Sequence, residues 1–230
     1  MKRKRIKIAI DGPAGSGKST TAREVAKRLN YIHIDSGAMY RAVTLKAIKL
    51  KIPTEDSDRI IEIASSISLQ FKNVDSQFFI YMNGKDISDL IRTPEINNAI
   101  NSVAANPEVR KILVKKQQQL GRSGGIVMDG RDIGTVVFPD AELKIYLQAD
   151  AKERARRRFD EFKSKGIVIS FEKVLEEVNT RDNADLSRKY GPLKIAPDAI
   201  VIDTTRFTIE EQIEKVYRLA MVRIKVLDNN

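Results

Sequence analysis

The sequence predicts an α/β fold: a three-layer core with a parallel sheet flanked by helices, a β-containing insertion and a short helical lid. Three observations predict it. Through the first fifty residues, short apolar runs alternate with segments of helical period, the sign of parallel strands joined by crossover helices. That rhythm breaks between residues 69 and 90, where strand-like runs and an Asn83-Gly84 turn succeed one another with no helix between them. It resumes after residue 107, and a highly charged helical stretch then precedes the last strand. The chain reads as a single unit with its core at about 1–62, 107–150 and 192–230, the insertion at about 63–106 and the lid at about 151–191.

Ile6 to Ile10 form an apolar run broken only by Lys7 and read as a strand. A turn through Gly12, Pro13, Gly15 and Gly17 leads into a helix over 19–29, where Ala22, Val25, Ala26 and Leu29 share a face. Tyr31 to Ile34 read as a second strand and Gly37 to Leu50 as a second helix. Asp58 to Ile67 is helical; Leu69 to Lys72 and Gln77 to Met82 are strands; Lys85 to Leu90 is a short further segment. Helices return at 93–106 and 107–120, and strands at Ile126–Asp129 and Leu143–Leu147. Asp150 to Lys165 and Phe171 to Asp182 are helices, the second running into a polar loop over 181–190. Ala199 to Ile202 is the last strand and Ile209 to Leu227 the closing helix.

With 230 residues, 42% of them hydrophobic, the chain can bury a substantial core. Its net charge of +10 suits an acidic partner such as a phosphorylated molecule. There is no cysteine, which excludes disulfides and thiolate metal sites. His33 is the single histidine, which excludes histidine-rich zinc sites and all but excludes histidine triads. Lys7 and Asp11 interrupt the N-terminal apolar run well short of a secretory core, and Lys2 to Arg5 read as a solvated cap on the first strand. The expectation is a cytoplasmic protein with no membrane partner.

Residues 12–19 read G-P-A-G-S-G-K-S, a G-x-x-x-x-G-K-[ST] loop between a strand and a helix. Converging backbone N–H groups and a helix N-terminus suit phosphate oxygens. A lysine supplies a compact charge and a serine hydroxyl suits magnesium. Gly12, Pro13, Ala14, Gly15, Ser16, Gly17, Lys18, Ser19 and Thr20 are therefore the expected ATP site, with Ser19 toward the metal. Neither the [NT]-K-x-D motif of switch GTPases nor an L-S-G-G-Q signature is present, and helicases are normally longer. A small-molecule kinase, which needs a second site for its acceptor, is the leading class.

Three further clusters offer that site. Asp35-Ser36-Gly37 opens a helix, with Arg41 one turn in; a plain helix cap is the simpler reading of Ser36. In 128–141, MDGRDIGTVVFPDA, Asp129 ends a strand, and Arg131 and Asp132 follow; a surface ion pair is the alternative. Arg181, Asp185 and Arg188 lie at i, i+4 and i+7, on one face if helical, and otherwise on a solvated charged surface. The charged helix carries Arg154, Arg156, Arg157 and Arg158, as a solvated face or as lid arginines.

IDGPAGSGKS, DSGAMYR, IRTPEI, DGRDIGTVVFPDA and RDNADLSR occur in one order and spacing along nearly the whole chain. In this the chain resembles the bacterial cytidylate kinases of the nucleoside monophosphate kinase group. The resemblance implies a P-loop fold with five parallel strands, an insertion on the monophosphate side, and magnesium-dependent phosphorylation of CMP and dCMP by ATP. It implies that Ser36, Arg41 and Arg131 hold the CMP phosphate, and that Asp185 and Arg181 meet the ribose. Arg110, Asp132 and Arg188 would read the base, Gly130 would lie in the same loop, and Tyr40 and Arg92 would line the pocket. Asn101 stands where close relatives carry a base-contacting serine. Lys18, Arg131 and the lid arginines Arg157 and Arg158 would share the developing charge. Cytosine's N4 amino donor suits a carboxylate such as Asp132, and uracil's carbonyl does not. A kinase of another monophosphate or of a shikimate-like metabolite is the nearest alternative. A nucleic-acid-associated ATPase is a distant one, because Phe78, Phe79 and Tyr81 lack an RNP pattern. No apolar heptad seam appears, so a monomer without nucleic acid is expected.

Overall fold

A computed structural model describes residues 4–74, 77–164 and 166–229. The expectations for Lys2, Arg3 and Lys165 lie outside the described residues. In chain order the elements begin with β1 (Lys7–Asp11), α1 (Lys18–Leu29), β2 (Ile32–Asp35), α2 (Ser36–Lys49) and α3 (Ser57–Ser66). The insertion adds β3 (Leu69–Val74), β4 (Gln77–Met82), β5 (Lys85–Asp86), a 3₁₀ turn (Leu90–Arg92) and α4 (Pro94–Ala105). The core resumes with α5 (Pro107–Leu120), β6 (Ile126–Gly130), a π-helical turn (Ile133–Val137) and β7 (Leu143–Gln148). α6 (Ala151–Ser164), α7 (Phe171–Ser187), β8 (Ile200–Asp203) and α8 (Ile209–Asp228) follow.

Five parallel strands form the main sheet in the order β2-β6-β1-β7-β8, and β3-β4-β5 form a separate antiparallel sheet. Ile8, Ala9 and Ile10 on β1 are wholly buried, as expected of a central strand covered on both faces. One face is covered by α1 and α8, with Ala22, Val25, Ile213 and Val216 packing on Ile8, Ile145 and Leu147. The register sets Asp35 and Ile10 beside Asp129, and Asp11 beside Gly130. Three aspartates thus stand at the ends of neighbouring strands on the carboxyl edge, where open α/β sheets bind ligands.

The insertion has no core of its own. Ile80, Met82, Ile87 and Ile91 join one apolar cluster with Met39 and Val43 of α2 and Leu113 of α5. Each wholly buried side chain of this kind contributes about 1.5–3 kcal/mol. By contrast α6 and α7 pack chiefly on each other through Ala155, Val174 and Val178, with Phe159 edge-on to Phe171.

Two local expectations are corrected. Residues 181–187 are the last turns of α7 rather than a loop; Leu193 N donates to Asp185 O and ties that end down. The turn after Arg131 is a π-helical one, because Asp11 accepts Ile133 N at 2.9 Å and Gly134 N at 2.7 Å.

Candidate active site

The glycine-rich loop joins β1 to α1 at the centre of the sheet. A Cβ on Gly12 would stand 2.1 Å from Leu147 O, so the loop can pass the end of β7 only with glycine there. Gly17 opens α1 with φ 84°, a left-handed position that glycine adopts at no steric cost. Lys18 is buried and its Nζ donates to Pro13 O at 3.0 Å. Burial, together with the positive neighbours Arg131 and Arg181, pushes the Lys18 ammonium well below its ordinary range. A cation held in such a place favours the arrival of an anion.

Ser19 Oγ donates to Asp129 Oδ2 at 2.5 Å. Burial works to raise the Asp129 carboxyl, but the His33 hydrogen bond, His33, Lys18 and Ser19 outweigh it and hold the group below its ordinary value. One hydroxyl and one ionised carboxylate are hard oxygen donors, and they fit magnesium, which takes few protein ligands and completes its shell with phosphate and water. Among the described residues no cluster of three or more His, Cys, Asp or Glu side chains is placed to hold a metal.

Opposite this loop, Asp35 rather than Ser36 caps α2, accepting Ala38 N at 3.0 Å. The Ser36 hydroxyl instead donates to Asp129 O at 2.7 Å, which removes the simple cap reading. Arg41 lies 3.6 Å from Asp35. The two loops open into one cavity of about 210 Å³. Of the sequence-predicted residues it brings together Ala14, Gly15, Lys18, Ser19, Ser36, Tyr40, Arg41, Arg110, Gly130, Arg131, Asp132, Arg158, Arg181, Asp185 and Arg188.

At one end, Arg110 is buried against Asp132 and stacks over Tyr40, 5.5 Å from the ring centroid. Gly191 closes on this pair: with φ 58°, its Cβ would collide with Arg110 Nη2 at 2.1 Å and Asp132 Oδ2 at 2.2 Å. Burial keeps Asp132 above its ordinary value, against the pull of Arg110, and lifts Tyr40 to about 12. In the middle, Asp185 receives Arg131 Nε at 2.6 Å and Arg188 Nη2 at 2.5 Å. Burial would raise its carboxyl, but these arginines hold it low. Burial and the positive charges of Arg131 and Arg41 push Arg181 down to about 9. The centre of the cavity is therefore short of negative charge.

Eight predicted residues do not line this cavity: Gly12, Pro13, Ser16, Gly17 and Thr20 of the glycine-rich stretch, and Asn101, Arg92 and Arg157. Asn101 follows Ile100 by one residue, so the helical phase turns it about 100° away from the face on which Ile100 and Ala104 line the site; it is exposed on a neighbouring cavity. Arg92 sits on the 3₁₀ turn and lines an adjoining cleft with Thr20, Arg158 and Arg181. Arg157 is held away by Glu153 at 3.0 Å and by Thr204 O at 2.6 Å, so of the two arginines expected in a lid only Arg158 faces the cavity.

The cytidylate kinase family model matches residues 8–222. The chain belongs to the cytidylate kinase family. It is 50% identical over 216 residues to a cytidylate kinase of Caldicellulosiruptor bescii, covering 94% of this chain and 96% of that one. It is 51% identical over 214 residues to one of Caldanaerobacter subterraneus, covering 92% of this chain and 93% of that one. It is 45% identical over 218 residues to one of Bacillus anthracis, covering 95% of this chain and 97% of that one. A solved structure of an uncharacterised protein from Eubacterium ventriosum shares the fold, with a TM-score of 0.50 at 11% identity, covering 97% of this chain and 99% of that one.

In this member of the cytidylate kinase family, sequence reasoning missed the supporting contacts of two residues. Arg154 was one arginine in a charged run, yet it is buried, donating to Ala14 O at 3.1 Å and to both Asp182 oxygens at 3.0 and 2.6 Å. It links the glycine-rich loop to α7. Asp11, the other, anchors the turn that follows Arg131 and Asp132, and burial lifts its carboxyl to about 7 against the two backbone donors. Between pH about 4 and about 7 the folded protein keeps a proton that the unfolded chain has released, so this group's contribution to stability falls as pH rises through that window. Thermal melts from pH 4.5 to 8 at fixed ionic strength are expected to show a steeper decline for the wild type than for Asp11→Asn. Identical slopes would contradict the assignment.

Proposed function

We propose that this enzyme transfers the γ-phosphoryl group of ATP directly to the phosphate of CMP or dCMP, giving ADP and CDP or dCDP. One observation carries the reading: two anion cradles, Lys18–Ser19 and Ser36–Arg41–Arg131, share a single cavity that ends at the Arg110–Asp132 pair. The first suits a triphosphate, the second a monophosphate, and the pair suits the hydrogen-bonding edge of cytosine. A phosphate monoester is largely dianionic at pH 7, so its attacking oxygen needs no general base. That fits a site whose mechanism is positioning and charge stabilisation.

Lys18 would take the β- and γ-phosphates, and Arg131, Arg158 and Arg181 would stabilise the charge spread over the transferring group. Ser19 and Asp129 would hold magnesium, which when bound supplies neutralisation of the β- and γ-phosphate charge. The α6–α7 lid, joined to the site by polar contacts such as Arg131–Asp185 and Arg154–Ala14, would exclude water that otherwise hydrolyses ATP. No helix among the described residues is long and apolar enough to cross a membrane. We further expect the enzyme to act as a monomer in the cytoplasm.

An acceptor panel read by ADP release tests this. CMP and dCMP are expected to give the highest kcat/KM, ahead of UMP, AMP, GMP and shikimate. Comparable values for UMP or shikimate, or ATP turnover stimulated by RNA without any monophosphate, would sink it.

A further inference from the structure

His33, the only histidine, has no part in the chemistry above. It sits on β2 beside β6, and its side chain is nearly buried. His33 Nε2 lies 2.7 Å from Asp129 Oδ1, while Asp129 Oδ2 accepts the Ser19 hydroxyl. An ionised carboxylate only accepts, so the proton between them belongs to His33 Nε2. Each oxygen of Asp129 thus has its own donor, and the histidine fixes which one faces Ser19. The imidazole is itself held by Phe78 of β4, which meets it at 86° with ring centroids 5.4 Å apart. Phe78 belongs to the insertion, so a segment remote in sequence reaches the donor side of the site through one aromatic contact.

On the reading that Ser19 and Asp129 hold magnesium with ATP, we propose that His33 is a positioning residue. It orients the Asp129 carboxylate toward Ser19, and Phe78 holds the imidazole in place from the insertion. A neutral aromatic ring would fill the same space but leave Asp129 Oδ1 without its donor and free to rotate. Hydrogen-bond partners of ligating groups commonly change metal affinity by about 10–100-fold when removed.

The test is a magnesium titration, followed by calorimetry, of full-length protein with a non-hydrolysable ATP analogue. It compares wild type, His33→Phe and His33→Gln. Phenylalanine keeps an aromatic ring against Phe78 and removes the donor; glutamine restores an N–H. His33→Phe is expected to need on the order of tenfold more magnesium for half-saturation. Its magnesium-free affinity for the analogue and its KM for CMP should stay near wild type, and His33→Gln should recover part of the loss. Unchanged magnesium dependence in His33→Phe overturns the assignment. So does an equal loss in both variants together with a lower melting temperature, which marks His33 as packing alone. If the wild type binds the analogue without any help from magnesium, the metal reading of Ser19 falls first and takes this one with it, even if CMP is phosphorylated normally.

Discussion

Asp132→Ala is expected to lower kcat/KM for CMP by about a thousandfold, roughly 4 kcal/mol of transition-state stabilisation, and to leave the value for UMP nearly where it was. Two effects act together. The carboxylate proposed to accept the cytosine N4 amino group is lost. Arg110, whose side chain is 6% exposed, keeps its charge but loses its buried partner. UMP gains nothing from Asp132 to begin with, since uracil sets a carbonyl against the carboxylate, acceptor to acceptor. The preference for CMP over UMP should therefore collapse rather than both activities falling in step. Asp132→Asn sharpens the test: its amide N–H₂ can meet the uracil carbonyl, so the variant should favour UMP more than the alanine does. Parallel losses for the two nucleotides in both variants would show that Asp132 supports the pocket without reading the base. The loss of the Arg110 pair also predicts a lower melting temperature, which CMP should not restore.

What could be read from the sequence was whatever depends on local order. The buried face of α1 follows from apolar spacing, and the glycine-rich loop follows from a short pattern with a steric reason. What could not be read depends on pairings between distant segments. The end of α7 carries Asp185 among charged residues and offers no apolar period; it stays helical while Asp185 bonds Arg131, 54 residues earlier. The π-helical turn reads locally as a strand or an ordinary turn, and it is set by Asp11, 122 residues before Ile133. At Asn101 family correspondence points to the base, while the phase of α4, read from Ile96, Ile100, Val103 and Ala104, sets it on a neighbouring cavity. His33 was legible only as an exclusion, because its partner Asp129 is 96 residues away in the chain.

Asp185→Ala is expected to destabilise the ligand-free protein by about 3–5 kcal/mol, because it breaks a buried charge cluster from one side. Asp185 is 2% exposed and is the carboxylate shared by Arg131 and Arg188. Without it, these two arginines, Arg181 and Lys18 face one another across the cavity. Arg181 and Lys18 are already pushed down by burial and by their positive neighbours, so further loss of negative charge is costly. For a domain of this size, a loss of that order corresponds to roughly 10 °C in melting temperature. CMP brings a dianion to the same place. Saturating CMP should therefore raise the melting temperature of Asp185→Ala by more than it raises that of the wild type, provided measurements reach saturation for each. Activity should fall by about a hundredfold or more in kcat/KM, since Arg131 loses the partner that aims it and, on the proposed binding mode, the ribose loses a polar contact. Asp185→Asn separates charge from shape: it keeps the side chain's outline and should lose nearly as much stability as the alanine. Calorimetric melts of the three proteins with and without CMP decide the matter. An alanine variant that melts like the wild type without ligand would mean that the arginines relax into solvent, and that Asp185 does not set the field in which the phosphates meet.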